Sequence, residues 1–376
     1  MNDTKPSLAQ TATYFLKLGS VGFGGPIALV GYMRRDLVEQ REWFSKEEFT
    51  EGLALAQLAP GPLAAQLAIY LGWLVRGVWG ATVVAVAFVL PSFLMVLALS
   101  AAYVAYGSMP WMQGAFYGVG AAVIGIITRS AYKLTRSQLG TDWLLWAIFA
   151  VNAVATAWLE TEVVYLILGA GVLTAALRAR YKPPIAALAP AWLFTGVLGT
   201  ASPALLWKLT AFFTVAGAFV FGSGLAIVPF LHGGVVTEYK WLTEQQFLDA
   251  VAVAMITPGP VVITVAFIGY LVAGPAGATI AALAVFLPCY LFTVIPAKSF
   301  RKWQSNQVIR SAVEGITAAA TGAIAGSAVV LAKRALIDVP SAALALATLL
   351  TLIYIKKAPE PLLVLAAAIL GIILKA

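Results

Sequence analysis

Residues 53–73, LALAQLAPGPLAAQLAIYLGW, set Ala59-Pro60-Gly61-Pro62 in the middle of an apolar run, and a near copy, Thr257-Pro258-Gly259-Pro260, returns within AVAMITPGPVVITVAFIGY at 252–270. Proline removes a backbone donor and clashes with the preceding turn, while glycine frees the chain to bend. Two half-helices should therefore meet at each triplet. In hydrocarbon, broken backbone is tolerated only where protein buries it or where it lines a cavity. One such break reads as well as a simple proline kink. Its repetition in register favours a site.

The repetition extends over most of the chain. An offset of 198 residues superimposes Phe15, Gly19, Phe23, Gly24, Trp43, Phe49, Pro60, Gly61 and Pro62 on Phe213, Gly217, Phe221, Gly222, Trp241, Phe247, Pro258, Gly259 and Pro260. After a one-residue deletion the offset is 197, and Gly72, Gly80, Pro91, Gly118, Gly125 and Ser130 fall on Gly269, Gly277, Pro288, Gly315, Gly322 and Ser327. The halves are duplicates. Residues 1–182 form a first repeat, 205–376 a second, and 183–204 a linker carrying one apolar stretch, IAALAPAWLFTGVLG.

Composition sets the class. With 61% hydrophobic and 11% charged residues among 376, and a mean hydropathy of +0.91, the chain reads as an all-α polytopic membrane protein. Its net charge of +8 comes from short basic clusters between apolar runs, the pattern of cytoplasmic loops, so nucleic-acid binding is rejected. One cysteine, Cys289, excludes an internal disulfide and reads as a packing residue; one histidine, His232, argues against a histidine-built metal site, and no cofactor is expected. The N-terminal MNDTKPSLAQTATYFLKLGS lacks the apolar core of a signal peptide.

Within the first half, residues 15–32 are interrupted by Gly22, Gly24, Gly25 and Pro26, a second kind of break. The next stretch, RRDLVEQREWFSKEEFTEG at 34–52, reads as an interfacial helix anchored by Trp43 and Phe44. Runs at roughly 78–106, 111–132, 142–158 and 162–178 are each near the length needed to span. Basic residues fix orientation. Arg34, Arg35, Arg41 and Lys46 mark one loop of the first half, whereas in the second half Lys298, Arg301, Lys302 and Arg310, and then Lys356 and Lys357, mark the alternate loops. The positive-inside rule then gives the halves opposite topologies, with Lys333 and Arg334 as exceptions. Only one full crossing fits between the 33–50 loop and the 107–110 turn, so the PGP element, and by the same reasoning the Gly22–Pro26 element, is expected to be a re-entrant hairpin.

Inverted repeats with broken helices are the architecture of secondary transporters that alternate access to a midplane site. Half-helix N-termini suit an anion there. The candidate binding residues are Gly22, Gly24, Gly25 and Pro26; Pro60, Gly61 and Pro62; Gly222, Ser223 and Gly224; and Pro258, Gly259 and Pro260. Tight helix packing by small residues is the competing reading. Ser20, Gln57, Gln66, Thr257 and Thr264 can add polar contacts, or simply bond to backbone. Glu51 and its equivalent Asp249 are proton-coupling candidates, or N-terminal caps at the base of the PGP arm. Arg129 and Lys133, one turn apart, either draw an anion inward or snorkel to the interface.

GSVGFGGPIALVGYMRRDLVEQREWFSKEEFTEGLALAQLAPGP at 19–62 closely resembles the N-terminal signature of the chromate ion transporter family, in its long two-domain form, and GAFVFGSGLAIVPFL with WLTEQQFLDAVAVAMITPGP is similar to its second-domain signature. The resemblance implies a bacterial or archaeal inner-membrane exporter of chromate, driven by the proton motive force, with protons as coupling ion. The second domain departs from the first in having Gly222-Ser223-Gly224 where the first has Gly24-Gly25-Pro26. Sulfate, of the same shape and charge, is the near alternative substrate. An intramembrane enzyme would need a nucleophile, base or metal set, and none is found. A passive channel or a lipid-handling protein built on re-entrant hairpins are the other readings. Membrane lipid is the expected surroundings, and a homodimer stays open.

Overall fold

Each PGP triplet ends one helix and starts another. The computed structural model describes residues 6–23, 25–106, 109–159, 164–179, 202–219, 221–222, 227–300, 306–355 and 360–375. In the first half, α1 (Leu8–Val21) and α2 (Gly25–Met33) flank the glycine break, and α3 (Lys46–Leu58) and α4 (Leu63–Tyr106) flank the PGP. They are followed by α5 (Pro110–Leu139), α6 (Trp143–Leu159) and α7 (Val164–Ala179). The second half repeats the order with α8 (Pro203–Ala218), α9 (Ile227–His232), α10 (Glu244–Ile256), α11 (Thr264–Ala297), α12 (Gln307–Ala335), α13 (Val339–Tyr354) and α14 (Glu360–Lys375). Gly24, Ser223, Gly224, residues 183–201 of the expected linker, and Arg301, Lys302, Lys356 and Lys357 lie outside the described residues.

The stretch at 34–52 is not one interfacial helix. Arg34–Gln40 continues α2 as a π-helical turn, the chain then breaks, and Ser45 opens α3 with a capping box to Glu48. Phe44 points into the protein core instead of the membrane surface. Thr243 and Gln246 repeat the capping box at α10. These boxes also overturn the capping role expected of Glu51 and Asp249, which lie beyond the first turn of their helices.

The broken elements double back. Gly52 on α3 lies against Tyr70 and Leu67 of α4, residues placed symmetrically about the PGP, so the two arms run side by side with Gly61 at the tip. Likewise Tyr14 on α1 donates a hydrogen bond to Asp36 at 3.2 Å across the first glycine break. A second reversal follows. Arg76 and Gly77 leave helical geometry (φ −150° and φ 57°), and a Cβ on Gly80 would collide with the Gly72 carbonyl. Eight residues along an unbroken helix are ~12 Å apart, so α4 is folded into two antiparallel arms there. Ala273 and Gly274 do the same to α11, bringing Gly269 against Gly277.

The halves are interlocked. Helix α5 packs against α13 and α14 of the other half, while α12 packs against α6 and α7. Glycines make these approaches possible: Gly118 meets the Ala367 carbonyl, and its equivalent Gly315 meets the Ala170 carbonyl. The cores cross as well. Val96, Val123 and Ile127 of the first half join the core built on Phe213, Phe247 and Phe267, and Cys289 of the second half is fully buried in the core built on Phe15, Leu67 and Phe88. Among the described residues, four helical stretches are long and apolar enough to cross a membrane: Leu63–Tyr106, Pro110–Arg136, Val261–Ala297 and Arg310–Ala335.

Candidate functional site

The interlocking brings the breaks of one half onto those of the other. Gly61 and Pro62 form a two-residue strand, β1, that pairs in parallel with β2 (Phe221–Gly222) of the second half, in the register Gly61 to Phe221 and Pro62 to Gly222. At the equivalent joint the Gly259 N–H donates to the Gly22 carbonyl at 2.9 Å. Each PGP tip is thus held by backbone of the opposite repeat. Both tip glycines have positive φ, 144° at Gly61 and 97° at Gly259, which side chains rarely adopt. Helices α2, α4 and α11 all begin at these joints, so the positive ends of their dipoles converge on one region.

The two joints are finished differently. The Gln66 amide folds over Gly61, with Nε2 donating to the Pro60 carbonyl at 2.8 Å. Gln66 is fully buried, and its Oε1 has no hydrogen-bond partner. A buried acceptor left open calls for a donor, from a water or a ligand. Beside Gly259 lies instead a cavity of about 20 Å³, lined by Gly22, Phe23, Thr257, Gly259 and, from α14, Glu360. That is room for about one water molecule. A tetrahedral oxyanion needs more room than that.

The polar candidates divide. Thr257 lines the cavity, although its hydroxyl bonds back to Val253 and Ala254 carbonyls. Thr264, the counterpart of Gln66, is buried and donates to the Val261 carbonyl at 2.8 Å. Ser20 turns back onto Leu16 of its own helix, and Gln57 is exposed, so neither reaches the tips. Pro258 and Pro260 are buried beside Gly259, and Gly25 and Pro26 open α2. Asp249, 3% exposed, accepts from the Tyr103 hydroxyl at 2.7 Å and from Gln245 Nε2 at 2.8 Å. Glu51 is only half-buried.

Arg129 and Lys133 lie within α5, not at its end; Arg129 stacks over Tyr132 with its Nε buried and unpartnered, and Lys133 acts electrostatically on Glu360. His232 binds Glu244 at 2.8 Å, and Arg334 pairs with the same carboxylate. This ion pair occupies one of the two cations that break the loop-charge pattern. Among the described residues no cluster of three or more His, Cys, Asp or Glu could hold a metal. The sequence reading missed Glu360, Tyr103 and Ser92, whose Oγ sits where a Gly259 side chain would go. Only Glu360 left a trace, as an acid opening an apolar run.

The family model described as "Chromate transporter" matches residues 9–175 and again 207–372. The "Chromate transport protein" of Cupriavidus metallidurans is 58% identical over 373 residues, covering 98% of this chain and 93% of that one. The "Probable chromate transport protein" of Synechococcus elongatus is 58% identical over 378 residues, covering 98% and 95%. That of Pseudomonas aeruginosa, "Chromate transport protein", is 32% identical over 356 residues, covering 89% and 83%. No solved structure matches. With both halves matched by one family model, the chain belongs to the chromate transporter family.

Proposed function

We propose that this protein is a secondary active transporter that exports chromate across the inner membrane, driven by the proton motive force, by alternating access around the paired tips. The observation that carries the reading is the cross-repeat joint: Gly61–Pro62 on Phe221–Gly222, and Gly259 on Gly22. Backbone held by backbone at the centre of a duplicated fold can open on one side and close on the other without side-chain rearrangement. The one-water cavity fits a closed state. Opening the joints would free the Gly259 N–H from the Gly22 carbonyl and expose the N–H groups of Gly61 and Gly222 to an oxyanion.

In this reading the hairpins at the PGP and glycine breaks are re-entrant, entering and leaving on one face, and residues 1–182 and 205–376 are the two inverted repeats. Sulfate is the second substrate, because backbone donors alone do not separate two tetrahedral dianions. The test is uptake of labelled chromate into inverted membrane vesicles, with the proton gradient present or collapsed and sulfate as competitor. Gradient-dependent uptake supports a secondary exporter. Wild-type rates in Gly24→Val, Gly61→Val and Gly259→Val together would sink the site, and absence of uptake of either anion would favour the lipid-handling reading.

A further inference from the structure

Among the described residues, Glu360 is the one ionisable side chain that lines the cavity at the Gly22–Gly259 joint. It comes from α14, at the far end of the sequence. Resting on the transport reading above, we propose that Glu360 holds a proton whenever an oxyanion occupies the tips, so that oxyanion and proton bind together.

The argument is electrostatic and steric. Glu360 and Gly259 line the same small cavity, so an ion drawn to Gly259 comes up against the carboxylate. Two like charges so placed in a poorly screened interior disfavour one another, and the group that can give way is the one that can take a proton. Once protonated, the carboxyl becomes a hydrogen-bond donor, which an oxyanion oxygen accepts. Thus the same residue repels the anion when ionised and binds it when neutral.

The neighbours leave this role to Glu360. Burial disfavours the ionised form of Glu360, and Lys133 on α5, with Arg129 one turn away, offsets part of that. An entering oxyanion competes for the same ammonium, and a proton on Glu360 ends the competition. On α10, Asp249 is occupied by Tyr103 and Gln245, and Glu244 by His232 and Arg334. The Gly22–Phe23 segment carries no charge. Asp249 is therefore engaged in a bonded pair, whereas Glu360 faces the space an ion must cross. A dianion leaving with one proton still carries one net negative charge outward, so the electrical part of the proton motive force drives this export while an acidic outside opposes it.

An acid in the first turn of α14 also stabilises that helix end, so the experiment must read protons and not stability alone. Chromate, or sulfate, is added to purified protein in weakly buffered detergent solution with a pH dye. The wild type should take up about one proton per bound anion, and Glu360→Gln none. In inverted vesicles, wild-type chromate uptake should fall about tenfold per pH unit above the Glu360 titration; Glu360→Gln should flatten the profile, and Glu360→Asp should restore it. Wild-type proton uptake and an unchanged pH slope in Glu360→Gln would overturn the proposal and leave the transporter reading intact. Neither binding nor uptake of chromate or sulfate by the wild type would overturn the transporter reading, and this proposal with it.

Discussion

The first and second repeats share a backbone plan and differ in what they hang on it. Tyr14 reaches Asp36 across the first glycine hairpin; at the equivalent place Phe212 lies on Gly234 and stacks with Phe230 at 5.3 Å. Asp249 is buried against Tyr103, whereas its equivalent Glu51 is half-buried and the counterpart of Tyr103 is Phe300, in an apolar cluster with Leu55 and Tyr70. Arg178 ties α7 to Glu314 and Asp142; at the matching point Lys375 lies over the Tyr117 ring at 4.6 Å and 3.8 Å from Asp338. Contacts that need backbone alone, the glycine approaches and the tip joints, are kept in both halves. Contacts made by side chains have drifted. Symmetry here belongs to the backbone, and asymmetry to the side chains it carries.

The sharpest way to break that comparison is at the tips. Gly259→Ala places a Cβ 2.8 Å from Ser92 Oγ and 3.0 Å from its Cβ at a φ of 97°, while Gly61→Ala meets the movable end of Gln66, 2.6 Å away at Nε2. Each carries a backbone strain of about 1–3 kcal/mol, but only at Gly259 is the obstacle close to a main chain. Vesicle uptake should be nearly abolished in Gly259→Ala and reduced several-fold in Gly61→Ala, with both proteins present in the membrane. Equal losses would show the joints to be equivalent.

Next in size is the buried carboxylate. Tyr103→Phe removes the hydroxyl that donates to Asp249, leaving Gln245, and should lower stability by about 1–3 kcal/mol, seen as a lower unfolding midpoint in detergent. Phe300→Tyr, the converse change in the other half, should not raise it. Arg178→Ala removes two ion pairs, to Asp142 and to Glu314, which keeps Arg310, and Lys375→Ala removes one, to Asp338, at partly exposed sites. The former should cost about 1 kcal/mol and the latter less. A comparable effect, about 0.5–1.5 kcal/mol, is expected from Tyr14→Phe, which makes the first hairpin resemble the second. Separately, cysteines at Gln40 and Arg76 should label from the same face of the membrane. Labelling from opposite faces would rule out a re-entrant PGP hairpin.

Much of the architecture was legible because it is written in backbone terms. Pro60-Gly61-Pro62 and its copy announce a break wherever they occur, and the glycines at 72, 80, 118 and 125 mark close approaches that recur in the second half. The swap of helices between halves was not legible: nothing in the spacing of α5 says that α13 and α14 will cover it. For the same reason the site was only partly seen. Gly22, Gly61, Thr257, Gly259 and Gln66 lie at the joints, but Glu360 joins them through a crossing of the chain and not through any motif. Gln57 and Ser20 were misplaced because nearness in sequence to a tip does not decide which way a helical side chain faces. The stretch at 34–52 misled through its aromatic residues, which fill a core as readily as they anchor at an interface.

The interlocking of α5 with α13 and α14, and of α12 with α6 and α7, has a consequence during synthesis. At about 5–20 residues per second, the first repeat leaves the ribosome some 10–40 s before the last helix that covers it. Throughout that interval α5, α6 and α7 have only lipid or the insertion machinery against their glycine-notched faces, and the Gly118 and Gly125 notches stay empty. Assembly is therefore a late event that the two halves undergo together. A gene cut between residues 179 and 202 should yield two pieces that are each degraded when made alone and that restore uptake when made in the same cell.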